Sequence, residues 1–274
     1  MHESSRLLLA PLIAHGLVMA SLEIELVPLL KDNYAYLLHD SATGTTAVVD
    51  PSEARPVLAV ARARGWRITH VLSTHHHWDH TGGNLEIKQA TNCMVIGPGY
   101  DQERIPGIDA GVQEGDRFVL GAAVAEILFI PGHTRGHIAY WFPEAQAVLC
   151  GDTLFSLGCG RLFEGTPEQM WTSLGKLRSL PPETRVYCGH EYTQNNARFA
   201  VTIEPTNPAL VMKQRRVDEA RAAGRATIPS TMGEERATNP FLRADEPAVA
   251  AAVGLAGADP VAVFAEVRRR KDNF

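Results

Sequence analysis

The sequence predicts a mixed α/β part that is followed by a helical part. As far as residue 191, short apolar segments bounded by Gly, Pro, Asp and Asn alternate with helical patterns, which is typical of strands layered with helices. Beyond Glu191, alanine and charged residues dominate and no segment has a convincing strand pattern. We therefore expect a layered domain up to residue 191 and a helical domain after it.

The individual elements follow from local patterns. Strands are predicted at residues 23–30, 34–39, 45–49, 68–73, 93–96, 118–120, 125–130, 137–142, 147–150 and 186–188. Helices are predicted at residues 52–64, 167–180, 209–223, 247–253 and 260–271, with one short helix after Gly83. Ser52 and Thr166 are good N-caps for the first two of these helices, Pro167 suits a first helical position, and Gly65 suits a helix end.

The composition excludes several classes of protein. The chain has 274 residues, of which 45% are hydrophobic and 21% charged, and its formal net charge is −5. A sequence-independent nucleic-acid binder needs a basic surface, so we expect no nucleic-acid partner. The widely spaced cysteines suggest neither a zinc ribbon nor a disulfide framework, and free thiols in a reducing cytoplasm are expected instead. These cysteines are Cys93, Cys150, Cys159 and Cys188.

The N-terminal segment has a different character. Residues 7–19 are largely apolar and follow a single Arg6, but Pro11 and Gly16 interrupt them and the run is too short to span a membrane. We interpret residues 1–18 as a non-structural leader on a cytoplasmic protein, with Met19 as an alternative start. No other stretch approaches a transmembrane segment, so no membrane partner is expected.

The most informative stretch is Thr-His-His-His-Trp-Asp-His at residues 74–80, directly after a predicted strand. Imidazoles packed this closely would repel one another if charged and would waste hydrogen bonds if buried and neutral. A bound cation removes both problems. Structural zinc sites normally have four protein ligands, often cysteines, and no cysteine is near. The stretch therefore favours a catalytic site for one or two metal ions with open coordination positions.

Spacing within the stretch divides its donors. Side chains at positions i and i+2 of an extended segment point the same way, so His75 and His77 can hold one ion. Asp79 and His80 follow where the chain begins to coil, and they can face a second ion. His76 is expected to point elsewhere. His76 and His137 are interpreted as supporting residues, whereas the isolated His39 and His70 are expected in the core.

Three later strand ends could complete the site. His133, Asp152 and His190 each come directly after a glycine at the end of an apolar segment. Glycine permits the tight turn and the close backbone approach that a ligand at a strand end needs. A carboxylate at such a position can bridge two cations through its two oxygens.

These residues carry a resemblance to a known family. Residues 74–80 fit the Thr-His-x-His-x-Asp-His signature of the metallo-β-lactamase superfamily. Further segments resemble the glyoxalase II (hydroxyacylglutathione hydrolase) family: 32–34 (DNY), 74–84 (THHHWDHTGGN), 131–137 (PGHTRGH), 151–155 (GDTLF), 158–166 (GCGRLFEGT), 188–193 (CGHEYT) and 271–274 (KDNF). The resemblance extends from about residue 19 to residue 274.

The resemblance implies an α+β fold, an αββα sandwich of two mixed sheets between helices, with a C-terminal helical domain. Residues 19–191 would form the catalytic domain and residues 192–274 the substrate-binding domain. By the same resemblance, one ion is held by His75, His77 and His133, and the other by Asp79, His80 and His190. Asp152 would bridge the two ions together with a water or hydroxide.

The resemblance also implies a substrate site. Its glutathione contacts would come from Arg161, Phe163, Tyr192, Arg268 and Lys271. Phe163 stands where some members have tyrosine, and Arg161 where some have lysine. Arg268 and Lys271 are three residues apart on a predicted helix and hence on one face, which suits the carboxylates of glutathione. Helix termination alone would also explain this basic segment, in which Arg269 and Arg270 are expected to be solvated.

The implied activity is hydrolysis of the thioester of S-(2-hydroxyacyl)glutathione, typically S-D-lactoylglutathione, to D-lactate and glutathione, as in methylglyoxal detoxification. A hydroxide bridging two divalent ions would attack the carbonyl carbon, and Asp79 and Asp152 would be the catalytic carboxylates. Zinc is the first choice of metal, with iron or manganese as alternatives. The enzyme is expected to be a monomer.

Three alternatives remain open on the sequence. A persulfide dioxygenase uses related motifs around one iron and needs oxygen. A nuclease of the same fold would need a basic channel for phosphates, whereas this chain is acidic overall. A binding protein with purely structural zinc would unfold when its metal is chelated.

Overall fold

Two six-stranded sheets form the core of the part of the chain that the computed structural model describes, residues 22–274. The predicted leader at 1–18 lies outside these residues. The first sheet has strands β1 Leu22–Leu29, β2 Asn33–Asp40, β3 Thr45–Val49, β4 Ile68–Leu72, β5 Met94–Pro98 and β6 Ala110–Val112 in sequential order. Strands β1 to β3 are antiparallel and β3 to β6 are parallel, so this sheet is mixed.

The remaining strands are β7 Arg117–Leu120, β8 Ala123–Phe129, β9 Ile138–Phe142, β10 Ala147–Gly151, β11 Leu154–Phe155, β12 Gly158–Cys159, β13 Arg185–Cys188 and β14 Ser230–Thr231. The second sheet has the order β14-β13-β10-β9-β8-β7, and β11 pairs with β12 as a separate hairpin. Only β10 and β13 are parallel within the second sheet, which is therefore also mixed.

The helices lie at α1 Ala54–Ala63, α2 Trp78–Thr81, α3 Asn84–Thr91, α4 Pro167–Arg178, α5 Thr193–Ile203, α6 Pro208–Ala222, α7 Met232–Thr238, α8 Pro247–Ala252 and α9 Pro260–Asp272. Two 3₁₀ segments lie at Gly99–Arg104 and Pro240–Leu242. Among the described residues, no helix is long and apolar enough to cross a membrane.

Alternation along the strands explains the layers. Leu38 and its inward-facing neighbours pack between the two sheets, while Leu37 on the opposite face packs with α1 and α3. Helix α4 packs on the outer face of the second sheet, and α9 packs against α4. Both faces of each sheet are thus covered, which is why the strands are nearly continuous apolar segments. The predicted αββα sandwich is confirmed.

The helical part is tied to the sandwich. Strand β14 pairs antiparallel with β13, so the expectation of no strand beyond residue 191 is wrong. A two-residue strand is too short to leave a pattern in the sequence. Helices α5 and α7 were likewise not predicted, whereas α6, α8 and α9 lie within two residues of their predicted bounds.

The two predicted helix N-caps have different outcomes. Thr166 forms a capping box with Gln169 at the start of α4, as predicted. The Ser52 cap is wrong, because α1 begins at Ala54 and its N-cap residue, Glu53, makes no side-chain cap. The Ser52 hydroxyl instead donates to the carbonyl of Asp79 at 2.5 Å, in the histidine segment.

Candidate metal centre

The predicted ligands meet at one edge of the sandwich because four strands end there. The segment with His75 and His77 follows β4, and His133 lies in the loop after β8. Asp152 follows β10 directly, and His190 lies two residues beyond the end of β13. The parallel pairing of β10 with β13 places the last two ligands side by side.

Close packing at this edge requires glycine. Gly151 has a φ of +47°, and a Cβ built there would lie 2.3 Å from the Thr74 hydroxyl oxygen. A Cβ at Gly189 would lie 2.3 Å from Asp152 Oδ1. Any larger residue at these positions would therefore push the loops apart. This explains why Asp152 and His190 each directly follow a glycine in the sequence.

One group of donors consists of His75, His77 and His133. His75 Nε2 lies 3.1 Å from His77 Nδ1, and His133 Nε2 lies 3.1 Å from the same atom. One ring nitrogen cannot satisfy both neighbours as a hydrogen-bond partner when all three imidazoles are neutral. A single cation between the three nitrogens would accept all three lone pairs. The geometry agrees with the i, i+2 expectation for His75 and His77.

A second group consists of Asp79, His80 and His190. His80 Nε2 lies 3.3 Å from His190 Nε2, and Asp79 Oδ2 lies 3.6 Å from His190 Nε2. The short helix α2 places Asp79 and His80 on this side, away from His77. The coil expected after His77 is thus the element that separates the two groups.

Asp152 lies between the groups. Its Oδ2 is 3.5 Å from His133 Nε2 and 3.3 Å from His190 Nε2, and its Oδ1 is 3.4 Å from His80 Nε2. Within residues 22–274, Asp152 Oδ1 is buried without a hydrogen-bond partner. An orphaned buried carboxylate oxygen is costly, and a cation would satisfy it. The donor set therefore fits divalent cations, with Asp152 placed to serve both groups.

Burial and neighbouring charges set the protonation of the centre. Burial and the imidazole of His133 lower the pKa of His77 to about 4, and burial holds the pKa of His75 well below its usual range. Both rings are therefore neutral at pH 7, the form that binds metals. Burial alone would raise the pKa of Asp152, but the rings of His80 and His190 hold it well below its usual range.

Outer contacts orient the ligand rings. His133 Nδ1 donates to the Arg161 carbonyl at 2.8 Å, and His190 Nδ1 lies 3.1 Å from Asp32 Oδ1. The Asp50 carboxylate accepts from the Thr74 amide and hydroxyl and lies 3.2 Å from His80 Nδ1. Such partners fix the tautomer and the direction of each ring. Asp50 was missed in the sequence, although an acid directly after a buried strand is the same signal that marks Asp152.

The remaining histidines divide as follows. His137 stacks on His75 at 4.6 Å and accepts a hydrogen bond from the Asp152 amide at 3.1 Å, so it supports two of the candidate ligands. His76 points away from both groups toward Asp101. His39 stacks on Trp66 and His70 packs against Phe118, and each is hydrogen-bonded to a threonine as expected of a structural histidine, but both are half-buried rather than in the core.

A cavity of about 630 Å³ opens over the two groups. It is lined by residues of both groups and by all five predicted substrate contacts, Arg161, Phe163, Tyr192, Arg268 and Lys271. The Phe163 ring lies 5.1 Å from the His133 ring, and the Tyr192 ring stacks on His190 at 4.6 Å. The two aromatic rings thus flank opposite sides of the centre.

The far end of the cavity is cationic. Lys271 Nζ lies over the rings of Phe199 and Phe274 and 3.2 Å from the Asn195 carbonyl. Arg268, by contrast, is buried, donates to the Cys159 carbonyl at 2.9 Å and pairs with Asp272. The sequence correctly places Arg268 beside Lys271, but the guanidinium of Arg268 is already paired.

Comparison with known proteins extends these observations. Residues 30–190 match the family model of the metallo-β-lactamase superfamily, and residues 191–274 match that of the hydroxyacylglutathione hydrolase C-terminus. A hydroxyacylglutathione hydrolase of Methylococcus capsulatus is 60% identical over 253 residues, covering 92% of this chain and 99% of the relative.

Among solved structures, that of ETHE1 from Myxococcus xanthus has a TM-score of 0.63 at 25% identity and covers 92% of this chain and 98% of its own. That of TTHA1623 in a di-iron-bound form has a TM-score of 0.58 at 27% identity and covers 79% and 98%. Sequence, fold and donor geometry agree. The chain belongs to the metallo-β-lactamase superfamily and, within it, to the hydroxyacylglutathione hydrolase family.

Proposed function

We propose that this chain hydrolyses the thioester of S-(2-hydroxyacyl)glutathione, with S-D-lactoylglutathione as the typical substrate, and releases D-lactate and glutathione. The observation that carries the proposal is that one cavity joins two groups of candidate metal-binding donors to a cationic end. The name of the relative at 60% identity supports it. In a cell this reaction would complete the detoxification of methylglyoxal.

We infer two divalent ions, zinc first and iron or manganese as alternatives. The first would be held by His75, His77 and His133, the second by Asp79, His80 and His190, with Asp152 shared. When bound, such ions lower the pKa of coordinated water and polarise a carbonyl oxygen. The di-iron-bound form of the neighbour TTHA1623 supports a binuclear centre.

The chain itself positions the reacting groups. Asn33 Nδ2 donates to the carbonyl of Asp79 at 2.9 Å and to its carboxylate at 3.2 Å, which aims this carboxylate at the cavity, where it can accept a proton. The rings of Phe163 and Tyr192 flank the acyl group and reduce its access to bulk water. A thiol with a pKa of about 8.5 leaves without strong acid assistance, so no further general acid is required.

Lys271 is the principal cation for a glutathione carboxylate, assisted by the exposed Arg161. The guanidinium of Arg268 positions the end of β12 by its bond to the Cys159 carbonyl. Holding the glutathione portion at the cationic end of the cavity would fix the thioester over the candidate metal centre. Binding energy would thus be used to orient the reacting carbonyl.

The KM for a glutathione thioester should rise as the pH increases through about 8. Burial, and then the charges of Arg268 and Arg161, lower the pKa of Lys271 to about 8, so its ammonium is present below this pH and lost above it. Lys271→Gln should raise KM about tenfold at pH 7 without changing kcat. It should also abolish the inflection in the pH profile of KM.

Arg270→Gln is the matched control, because Arg270 lies one residue away but pairs with Glu266. Its KM profile should match that of the unmodified protein. An inflection near pH 8 that persists in Lys271→Gln would assign the titration to another group.

The activity is tested by incubating the protein with S-D-lactoylglutathione and measuring free thiol together with loss of the thioester. We expect stoichiometric thiol release without oxygen consumption. Oxygen uptake with glutathione persulfide, in the absence of thioester hydrolysis, would show a dioxygenase instead.

The proposal includes the organisation of the chain. We place the catalytic domain at residues 19–191 and the substrate-binding domain at 192–274, a division supported by two family models that meet at residue 190. The four cysteines are buried and unpaired, which supports a reducing cytoplasm as the location. We expect a monomer.

A further inference from the structure

A charged cluster lies behind the first group of donors and has no part in the proposed reaction. We call it the His76 clamp and define it as His76, Asp101, Arg104 and Glu164. His76 Nδ1 lies 3.2 Å from Asp101 Oδ2, and His76 Nε2 lies 3.7 Å from Glu164 Oε1. The ring of His76 is thus held between two carboxylates on the side away from the cavity.

Arg104 closes the clamp. Its guanidinium bonds both oxygens of Glu164, at 2.7 and 3.3 Å, and Asp101 Oδ1 at 3.3 Å. The hydrogen bonds from Arg104 lower the pKa of Glu164 to about 2, so the pair is ionised at neutral pH. The two carboxylates already have a cation between them, and a third metal site is therefore not the best explanation of this cluster.

The clamp contacts the two segments that carry the first group of donors. His76 stands between His75 and His77 in the chain. Glu164 Oε2 accepts from the Arg135 amide at 2.9 Å, in the loop that carries His133. Asp101 packs against Gly136 of that loop so closely that a Cβ there would lie 2.3 Å from Asp101 Oδ2.

The second group of donors has other supports. His190 is oriented by Asp32, and His80 by Asp50. Asp79 is held by Asn33. None of these contacts involves a residue of the clamp. Asp50 also accepts from Thr74 beside His75, so it contacts both groups, whereas the clamp contacts only the segments of the first group.

We propose that Arg104 and Glu164 are positioning residues that set the metal affinity of the His75–His77–His133 site without setting that of the Asp79–His80–His190 site. They hold His76 and the Arg135 amide, and so keep the three imidazoles of the first site at their mutual distances. This inference rests on the proposed function only in requiring that both groups bind a metal ion.

Glu164→Gln tests the proposal, because it keeps the size of the side chain and an acceptor for the Arg135 amide but removes the charge. Metal-free protein is titrated with Zn²⁺ against a competing chelator, and the two dissociation constants are fitted. We expect one of the two dissociation constants to rise by about 10- to 100-fold, as for other residues that orient metal ligands. The other dissociation constant should stay unchanged. Arg104→Lys keeps the positive charge but loses the planar guanidinium that bonds both oxygens of Glu164. It should weaken the same site less than Glu164→Gln does.

Asp245→Asn is the matched control. It breaks an equally bidentate pair with Arg178, at 2.8 and 2.6 Å, and Arg178 otherwise donates to the Leu242 carbonyl rather than to a ligand loop. Both metal affinities should stay unchanged. Equal weakening of both sites in Glu164→Gln, or of neither, would refute selective positioning. If the unmodified protein itself binds fewer than two ions, the binuclear proposal fails instead.

Discussion

Asp152→Ala should lose bound metal and thioester hydrolysis together. Asp152 is the one described carboxylate within 3.5 Å of imidazole nitrogens from both groups, so its removal affects both sites. Loss of a residue that only orients a ligand typically costs 10–100-fold, and loss of the shared ligand should exceed about 100-fold in kcat/KM. Metal analysis and a thiol-release assay on the same preparation would measure the two effects.

The fold should survive this substitution. Asp152 follows a strand whose apolar residues supply the core contacts, and its side chain faces the cavity. Circular dichroism should therefore be unchanged, which separates a catalytic centre from a structural metal. Asp245→Ala, at a surface acid, is the control for loss of a carboxylate. Near-normal thioester hydrolysis by Asp152→Ala would refute the proposal that Asp152 serves both metal sites.

Lys213→Met should cost about 3–5 kcal/mol of unfolding free energy, the typical result of breaking a buried ion pair. Glu235 is fully buried, Lys213 is 3% exposed, and Lys213 Nζ lies 2.5 Å from Glu235 Oε1. Glu235 also accepts from the Ser156 hydroxyl at 2.9 Å and the Leu157 amide at 2.8 Å. The pair thus joins α6 and α7 to the β11–β12 turn beside the cavity.

Urea unfolding of the metal-free protein would measure this loss. The double variant Lys213→Met/Glu235→Gln should lose less than the sum of the single variants, because no unpaired charge remains buried. A loss below about 1 kcal/mol in Lys213→Met would mean that the hydrogen bonds to Glu235 suffice without the ammonium.

The Lys213–Glu235 pair also makes the free energy of unfolding depend on pH. Burial alone would raise the pKa of Glu235, but the charge and hydrogen bond of Lys213 hold it below its ordinary value of 4.5. The stabilisation from Glu235 is therefore fully present above pH 4.5 and is lost as the pH falls through the lower folded-state pKa.

The residues of the candidate metal centre could be picked out because they have local signals. His75, His77, Asp79 and His80 are neighbours in the chain, and Asp152 and His190 each follow a glycine at a strand end. Strand ends are set by local pattern, and the parallel pairing of β10 with β13 then brings distant ends together. Spacing within residues 74–80 divided the donors of that stretch between two ions, and the resemblance assigned His133 to the first group, His190 to the second and Asp152 to both.

The supports of the site could not be predicted, because they arise from tertiary contacts. Glu164 meets Arg104 across 60 positions, and no period in the sequence links them. Ser52 fits a helix cap locally, yet it bonds the distant Asp79 carbonyl. Helix α5 contains Thr193, Asn195 and Asn196 in its first turn, and asparagine by itself favours turns over helix interiors. In each case tertiary packing decides which of several locally possible structures or contacts forms.

Metal titration of the metal-free protein, with thiol release from S-D-lactoylglutathione recorded at each addition, tests most directly whether the two donor groups form one catalytic centre. We expect no thiol release without metal and the full rate only at about two equivalents of metal per chain. The full rate at one equivalent, or hydrolysis by the metal-free protein, would contradict the binuclear centre.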